Sequence, residues 1–462
     1  MISLRILTLL LTTTSVISVS LRGYNSWDNY LGNPNETETL GIAQYMAANL
    51  LQYDYKYVTI DAGWYFLDDY NITMDAYGRP TPRVDQYPSA ANGKGFLSLS
   101  SQIHALGMSF GVWTIRGIPK EAVDQNLPIF NSTYTMKQAF RSDRPCGWDG
   151  HCYGCQPKNA DGTGGCNAAA IAYYQSLAQW YSQQGIDLVK LDCMFPANHA
   201  PQGSYDDDDY AMTAAFNDYN IKISLSPGRL VSTQNASWVA NTLNPQTQYR
   251  VTEDFWDTWD DHYISGLRTK LDVAVQFQNY FGVNDTYPDL DMLVIGHVMS
   301  MQSPPLTGTN LTQDEQVLML TLWCATGAPL VLGCRLPFIE GDPIDEFTKR
   351  ITTNNDLLLM HNESYNRHPL TTPINQTYAW TSIPNNSTKT APAAYVTLFN
   401  GDDVGHTVTV QLGDTNLPAN DTYCVVDMWA HANLPGTFTT SFSMNLRPHQ
   451  AGAYYIQLCS SN

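Results

Sequence analysis

Through the first three quarters of the chain, short apolar runs bounded by Gly, Pro and Asn alternate with stretches whose apolar residues recur at helical spacing. "YKYVTIDAGW" (55–64), "MSFGVWTIRG" (108–117) and "IDLVKLDC" (186–193) have the length and β-branched content of buried strands. So do "LRGYNSW" (21–27), "KISLSPG" (222–228), "QYRVTED" (248–254), "DMLVIG" (291–296) and "PLVLGC" (329–334). Between them, "ETLGIAQYMAANLL" and "DEQVLMLTLWCATGA" read as amphipathic helices. Strands alternating with helices predict an α/β chain, and eight strands imply a closed (β/α)8 TIM barrel over residues 21–360. Beyond it the texture changes to "YAWTSI", "AAYVTLFN", "HTVTVQLG", "YCVVDMWA" and "GAYYIQL", separated by turn residues. That pattern predicts a small antiparallel β-sandwich over 361–462.

The first twenty residues are set apart by Arg5, an apolar Thr-rich middle, and Ser18 and Ser20 placed for a cut before Leu21, which predicts a signal peptide over 1–20. No later segment is long and apolar enough to span a membrane. N-x-S/T sequons at Asn35, Asn71, Asn131, Asn235, Asn284, Asn310, Asn362, Asn375, Asn386 and Asn420 fit an exported glycoprotein, secreted or delivered to a lysosome or vacuole. Nine cysteines in such a chain predict disulfides with one thiol left over. Cys146, Cys152, Cys155 and Cys166 crowd a Gly-rich insertion, where a zinc site using His151 is the alternative to disulfides; Cys424 and Cys459 are candidates for a pair. The net charge of -19 argues against nucleic acid and anionic membranes as partners. The run Asp206 to Asp209 reads as a solvated cap at a helix start.

"IDLVKLDC" carries the chemical signal. Strand alternation puts Leu188, Lys190 and Asp192 on one face, so an apolar run ends by presenting two charges together. In a TIM barrel the reactive groups sit at the carboxyl ends of the strands. Collected there are Asn25, Trp27 and Asp28, then Asp61 and Trp64, Trp113 and Arg116, Lys190 and Asp192, Arg250 and Asp254, and Asp289 and Asp291. An acidic cup lined with tryptophan suits sugars, since aromatic faces stack on sugar rings and paired carboxylates cleave glycosidic bonds. Asp289 reads as a turn residue and Asp257 as a helix cap or first-turn residue. The set requires no cofactor or metal. A metal-dependent hydrolase would want H-x-H or H-E-x-x-H spacing, which is not present; a non-catalytic carbohydrate-binding module is the other alternative.

These residues resemble glycoside hydrolase family 27, the α-galactosidases and α-N-acetylgalactosaminidases. "GYNSWDNY" is similar to the family's opening G-W-N-S-W motif, "YVTIDAGW" to D-D-x-W, and "LVKLDC" to the K-x-D strand. "RVTEDFWDTW" resembles the segment bearing the acid/base, and "DLDMLVIG" resembles D-P-D-M-L-V-I-G. The resemblance implies a retaining exo-glycosidase acting through a covalent glycosyl-aspartate, with Asp192 as nucleophile and Asp254 as acid/base. It also implies Lys190, Arg250, Asp61 and Asp291 as sugar ligands; with Trp27, Asp28, Trp64, Trp113, Arg116 and Ser226 they make up the expected substrate-binding set. Lys190 should favour an ionised Asp192, and Asp192 should raise the pKa of Asp254. Departures fall on sugar choice: Ala62 stands where the family has a second acid, Trp113 replaces a Tyr, and "SLSPGR" (224–229) replaces the loop that reads the 2-position. α-Galactoside is the leading expectation, with β-L-arabinopyranoside, α-glucoside and α-N-acetylgalactosaminide as alternatives.

Overall fold

The computed structural model describes residues 20–459 apart from 69–70, 144, 147–149, 195–205, 229–230, 244–246, 261–264, 301–302, 338–343, 371–372 and 420. The expected leader up to residue 19 lies outside the described residues. Strands β1 (Arg22–Asn25), β2 (Tyr57–Ile60), β3 (Ser109–Ile115), β4 (Leu188–Asp192), β5 (Lys222–Ser226), β6 (Gln248–Arg250), β7 (Tyr287–Asp289) and β8 (Leu330–Leu332) form one parallel sheet. Strands follow chain order around it, and β8 pairs with β1.

Closure comes through Leu293, just past β7. Its N–H donates to the Val331 carbonyl at 2.7 Å, and its carbonyl accepts from Gly333 at 3.1 Å. The seventh strand therefore lies earlier than "DMLVIG". The reason is Asp291, whose φ of 83° is left-handed and breaks the extended run after β7. The first part of this segment pairs with β6, and the part beyond the kink reaches β8.

Side-chain alternation does the rest. On β4, Val189 and Leu191 are fully buried in the main core, whereas Leu188 joins Leu21, Met292 and Val331 in a small separate apolar cluster. Above Leu188, on the same face, stand Lys190 and Asp192. The register sets Ser224 beside Lys190 and Ser226 beside Asp192, so β5 lines the same interior.

The helices include α1 (Trp27–Tyr30), α2 (Glu36–Asn49), α3 (Ala168–Gln183), α4 (Asp206–Asp218), α5 (Leu267–Gln276) and α6 (Gln313–Thr326). Helix α6 starts in a capping box, Thr312 with Glu315, and stops at Gly327 with φ 78°. It was expected to be amphipathic, but its residues from Leu318 to Thr326 are all buried. A helix can be apolar all round when both faces are covered. One face meets the barrel, and the C-terminal sheet covers the other: Trp429 donates to Thr321 at 3.1 Å, and His449 pairs with Glu315 at 2.7 Å.

That C-terminal part is antiparallel throughout. Strands β9 (Ser364–Pro369), β10 (Thr377–Pro384), β11 (Ala393–Asn400), β13 (Tyr423–Asp427) and β15 (Ala451–Leu458) belong to the larger sheet, which the short Ala432–Asn433 edge completes, and β12 (His406–Gln411) pairs with β14 (Ser441–Leu446). Val396, Leu398 and Ile456 meet Val408, Val410 and Phe442 between the two sheets. Tyr395 and Phe399, on the other face of β11, belong to the barrel's core cluster.

Disulfides join Cys146 to Cys193, Cys155 to Cys166 and Cys424 to Cys459. Three cysteines rather than one, Cys152, Cys324 and Cys334, stand buried outside these bridges. Cys155 and Cys166 sit close to Asp208, but sulfurs tied in a disulfide are not thiolate ligands, so the zinc alternative fails there.

A chain ending after Asn362 would strip the cover from α6. It should be aggregated or molten, as read by gel filtration and by loss of a cooperative thermal transition; a monodisperse, cooperatively melting barrel would contradict this account of the interface.

Candidate active site

Charged groups converge at the carboxyl ends of the strands. Asp61 follows β2, and its Oδ2 accepts from Lys190 Nζ and from Asn25 Nδ2, each at 2.7 Å. Its Oδ1 accepts from the Ala62 N–H at 2.8 Å. Asp192, the last residue of β4, takes Trp113 Nε1 on Oδ2 at 3.0 Å and the Cys193 N–H on Oδ1 at 2.7 Å. Cys193 has φ 58° and is pinned by its disulfide to Cys146, so the backbone donor is held in place. Arg250, ending β6, reaches Asp254 Oδ1 at 2.5 Å and Asp291 Oδ2 at 3.4 Å. Asp291 is itself bound by the Phe255 N–H at 2.7 Å. Beneath these groups lies a small pocket whose walls include Asn25, Lys190, Ser226, Gln248, Arg250 and Asp289.

A strained Asp on a strand kink, two buried cations and a ring of carboxylates at a barrel mouth can be set beside known proteins. The model of the alpha galactosidase C-terminal beta sandwich domain matches residues 380–456. The solved β-L-arabinopyranosidase of family 27 from Geobacillus stearothermophilus superposes with a TM-score of 0.83 at 29% identity, covering 96% of this chain and 97% of that one. The chain is a divergent member of glycoside hydrolase family 27. Among curated sequences, the probable alpha-galactosidase of Dictyostelium discoideum is 25% identical over 455 residues, 95% of this chain and 92% of its own length. Alpha-galactosidase 2 of Arabidopsis thaliana is 20% identical over 435 residues, 94% of this chain and 88% of its own. The protein is thus a glycoside hydrolase of the α-galactosidase type.

Electrostatics in this family 27 enzyme differ from expectation at one point. Burial raises the pKa of Asp192, while Lys190, Arg250 and the Trp113 and Cys193 donors work against that rise. Burial alone would lower Lys190 and Arg250, but the carboxylates around them, led by Asp61 for Lys190 and Asp291 for Arg250, hold both above their ordinary values. The expected upward push on Asp254 is outweighed: the Arg250 charge, together with its hydrogen bond, holds that carboxyl below the usual range against its own burial. Its side chain is 59% exposed.

Several expected ligands lie elsewhere. Arg116 is fully buried and turned outward, with Nη1 on Asp208 at 3.1 Å and Nε on the Cys193 carbonyl at 2.9 Å. That contact accounts for the burial of Asp208, which with Asp209 was expected to be solvated; both are fully buried. Trp64 is a core residue whose Nε1 donates to the Trp113 carbonyl; Trp113 is buried too and addresses Asp192 through its N–H rather than offering a ring face. Asp28, on α1, is shielded against Gly333, and its two oxygens have no hydrogen bond. Burial and the neighbouring Asp291 raise its carboxyl well above the normal range, against the pull of Lys190, and so favour its neutral form.

Trp27 remains half-buried on the Leu188 cluster, and the Ser226 hydroxyl is buried without a partner. Arg229, in the "SLSPGR" segment, lies outside the described residues. Asp257 accepts from the Asn310 N–H at 2.8 Å instead of capping a helix, because α5 begins only at Leu267. Asp289 belongs to β7 rather than a turn, accepting from Gln248 Nε2 and the Asp291 N–H, each at 2.8 Å. Gln248 was missed, although the two-residue period from Arg250 points it inward.

Burial and Asp291 push Asp289 up to about 6, from an ordinary 3.8. The folded state therefore binds a proton that the unfolded chain has lost. The stability it contributes is full below about pH 4 and is lost as the pH rises through about 6. Protonated Asp289 can donate to Gln248 Oε1, which otherwise has no partner, once that amide is turned over. Asp289→Asn should flatten the fall in stability between these values by up to about 1.4 kcal/mol per pH unit. Urea melts at pH 4, 5 and 6 read this; an unchanged slope would show that Asp289 is ionised throughout.

Proposed function

We propose that the enzyme cleaves a terminal pyranoside of galactose ring configuration with retention, and that β-L-arabinopyranoside is its preferred sugar. Asp192 is the nucleophile: its carboxylate attacks the anomeric carbon while the bond to the leaving oxygen breaks and Asp254 gives that oxygen a proton. Asp254 then takes a proton from water, which attacks the same carbon and releases Asp192. Two donors, Trp113 Nε1 and the Cys193 N–H, hold the two Asp192 oxygens and favour the anion over the neutral acid. Lys190, Arg250, Asp61 and Asp291 bind sugar hydroxyls. Arg250 couples binding to chemistry, because a hydroxyl that draws its guanidinium away from Asp254 lets that carboxyl take up a proton.

The sugar preference rests on Ala62. At the end of β2 it leaves Asp61 as the carboxylate available, with Asp61 Oδ1 already turned to the Ala62 N–H. β-L-Arabinopyranose has the ring of α-galactose without the 6-hydroxymethyl group, and so makes least use of a second acid. The similarity to the Geobacillus arabinopyranosidase, of which a variant has been solved in complex with arabinose, supports this reading. α-Galactoside is the second reading, favoured by the curated relatives. The signal-like leader and the sequons support export, with a glycan or oligosaccharide as substrate. Among the described residues no helix is long and apolar enough to cross a membrane.

A panel of p-nitrophenyl glycosides on the purified protein tests the sugar. β-L-Arabinopyranoside should exceed α-galactoside in kcat/KM; the reverse order would refute the preference. Ala62→Asp should move the ratio toward α-galactoside by roughly ten- to hundredfold, since a charged acceptor for a buried hydroxyl is worth about 1.5–3 kcal/mol.

Asp192→Asn should abolish turnover while leaving sugar binding largely intact, and proton NMR of the first-formed product should show the substrate's own anomer. The carboxyl pair should give a bell-shaped kcat/KM profile with its maximum on the acid side of neutrality, because Asp254 is held low and must be protonated to act. A maximum above neutral pH would exclude Asp254 as the acid.

A further inference from the structure

Asp254 sits in a segment, 251–256, without regular secondary structure, and more than half of its side chain is exposed. Its position therefore depends on what fixes its neighbours. Phe255 is fixed through its N–H, bound to Asp291 Oδ2 at 2.7 Å, and through its ring, stacked 6.0 Å from Trp323, whose Nε1 donates to the Asp291 carbonyl at 3.0 Å. Glu253 is fixed from the other side. Its carbonyl accepts from Lys270 Nζ at 3.3 Å, and the same ammonium lies 4.9 Å from the centre of the Phe255 ring.

Lys270 is the unusual member. It stands on the buried stripe of α5 with Leu267, Leu271 and Ala274, and is 0% exposed. Burial lowers its pKa to about 8, although Asp291, Asp289 and Asp254 all favour the charge. Enclosing an ammonium costs several kcal/mol, whereas an apolar chain of the same length would pack at that place without the cost. The contacts made by the charge are the Glu253 carbonyl and the Phe255 ring, one on each side of Asp254.

We propose that Lys270 is a positioning residue for acid/base catalysis, clamping the backbone on both sides of Asp254 so that its carboxyl meets the leaving-group oxygen. This rests on the reading of Asp254 as the acid. A side chain displaced by about 1 Å loses on the order of a hundredfold in rate, so a backbone clamp acting through a neighbour is sufficient to matter.

Leaving groups separate positioning from folding. Departure of 2,4-dinitrophenolate needs no proton, whereas departure of methanol does. Lys270→Met should keep kcat/KM for the 2,4-dinitrophenyl β-L-arabinopyranoside within about threefold and lower that for the methyl glycoside by roughly ten- to hundredfold. α-Galactosides serve as the matching pair if they are the better substrates. Lys270→Gln, which keeps a neutral donor to the Glu253 carbonyl, should fall between wild type and Met, and supplies the same comparison if the Met variant does not fold. Equal losses on both glycosides, or no loss on either, would overturn the proposal. Asp254→Asn is measured beside them: if it too fails to discriminate between leaving groups, the fault lies with the assignment of Asp254; if it discriminates and the Lys270 variants do not, the fault lies with Lys270.

Discussion

The structure depends on how a crowd of carboxylates is kept inside one barrel mouth. Asp28, Asp61, Asp192, Asp289 and Asp291 are shielded or nearly so, with Asp254 at the rim, and the facing cations are Lys190 and Arg250, with Lys270 behind. Two devices resolve the excess of negative charge. Lys190 and Arg250 are held charged by the acids they bind, whereas Asp28 and Asp289 are pushed toward their neutral forms. The balance favours an acidic medium, in which the protons that these groups need are abundant. It also divides labour between chemically identical side chains, since Asp254 is held below the usual carboxyl range whereas Asp28, Asp192 and Asp289 are raised above it.

Backbone strain at two positions supports that arrangement. The left-handed φ of Asp291 breaks β7, frees the following segment to close the barrel through Leu293, and leaves the carboxylate between Arg250 and the Phe255 N–H. The left-handed φ of Cys193, tied to Cys146, aims a backbone donor at Asp192. In both cases the kink follows a strand end, where a barrel concentrates its functional groups. The C-terminal sheet acts at longer range: it covers α6, whose Trp323 supports both Asp291 and Phe255. A domain remote from the sugar thereby helps to hold the acidic cup.

The strand pattern, with its period of two, was legible because each barrel strand faces helices on one side and the interior on the other. That is why the sequence pattern alone marks Lys190 with Asp192, and Arg250 at the end of β6, as inward groups. The same rule, applied to residues beyond the strand ends, misplaced Arg116 and Trp64. Past the last paired residue the chain is free to turn, and long side chains go where partners are: Arg116 to Asp208, Trp64 to a backbone carbonyl. Asp257 and the apparent amphipathicity of α6 were misread for a related cause, as their partners, Asn310 and the C-terminal sheet, are distant in sequence.

Sequence alone determined the order of strands and helices, the change to antiparallel β structure after the barrel, and the residue types gathered at the mouth, because these follow from local periodicity and from the geometry common to all such barrels. Tertiary structure decided the direction in which the pKa values of Asp28, Asp192, Asp254 and Asp289 move, the pairing of the cysteines other than Cys424 with Cys459, and which tryptophans are buried. Those properties depend on burial and on how side chains are turned toward one another in space, which local periodicity does not carry even where, as for Arg250 and Asp254, the partners are close in sequence. Asp254 shows the division: its place after β6 was readable, but its low pKa comes from the Arg250 guanidinium folding back onto it, which only the three-dimensional arrangement reveals.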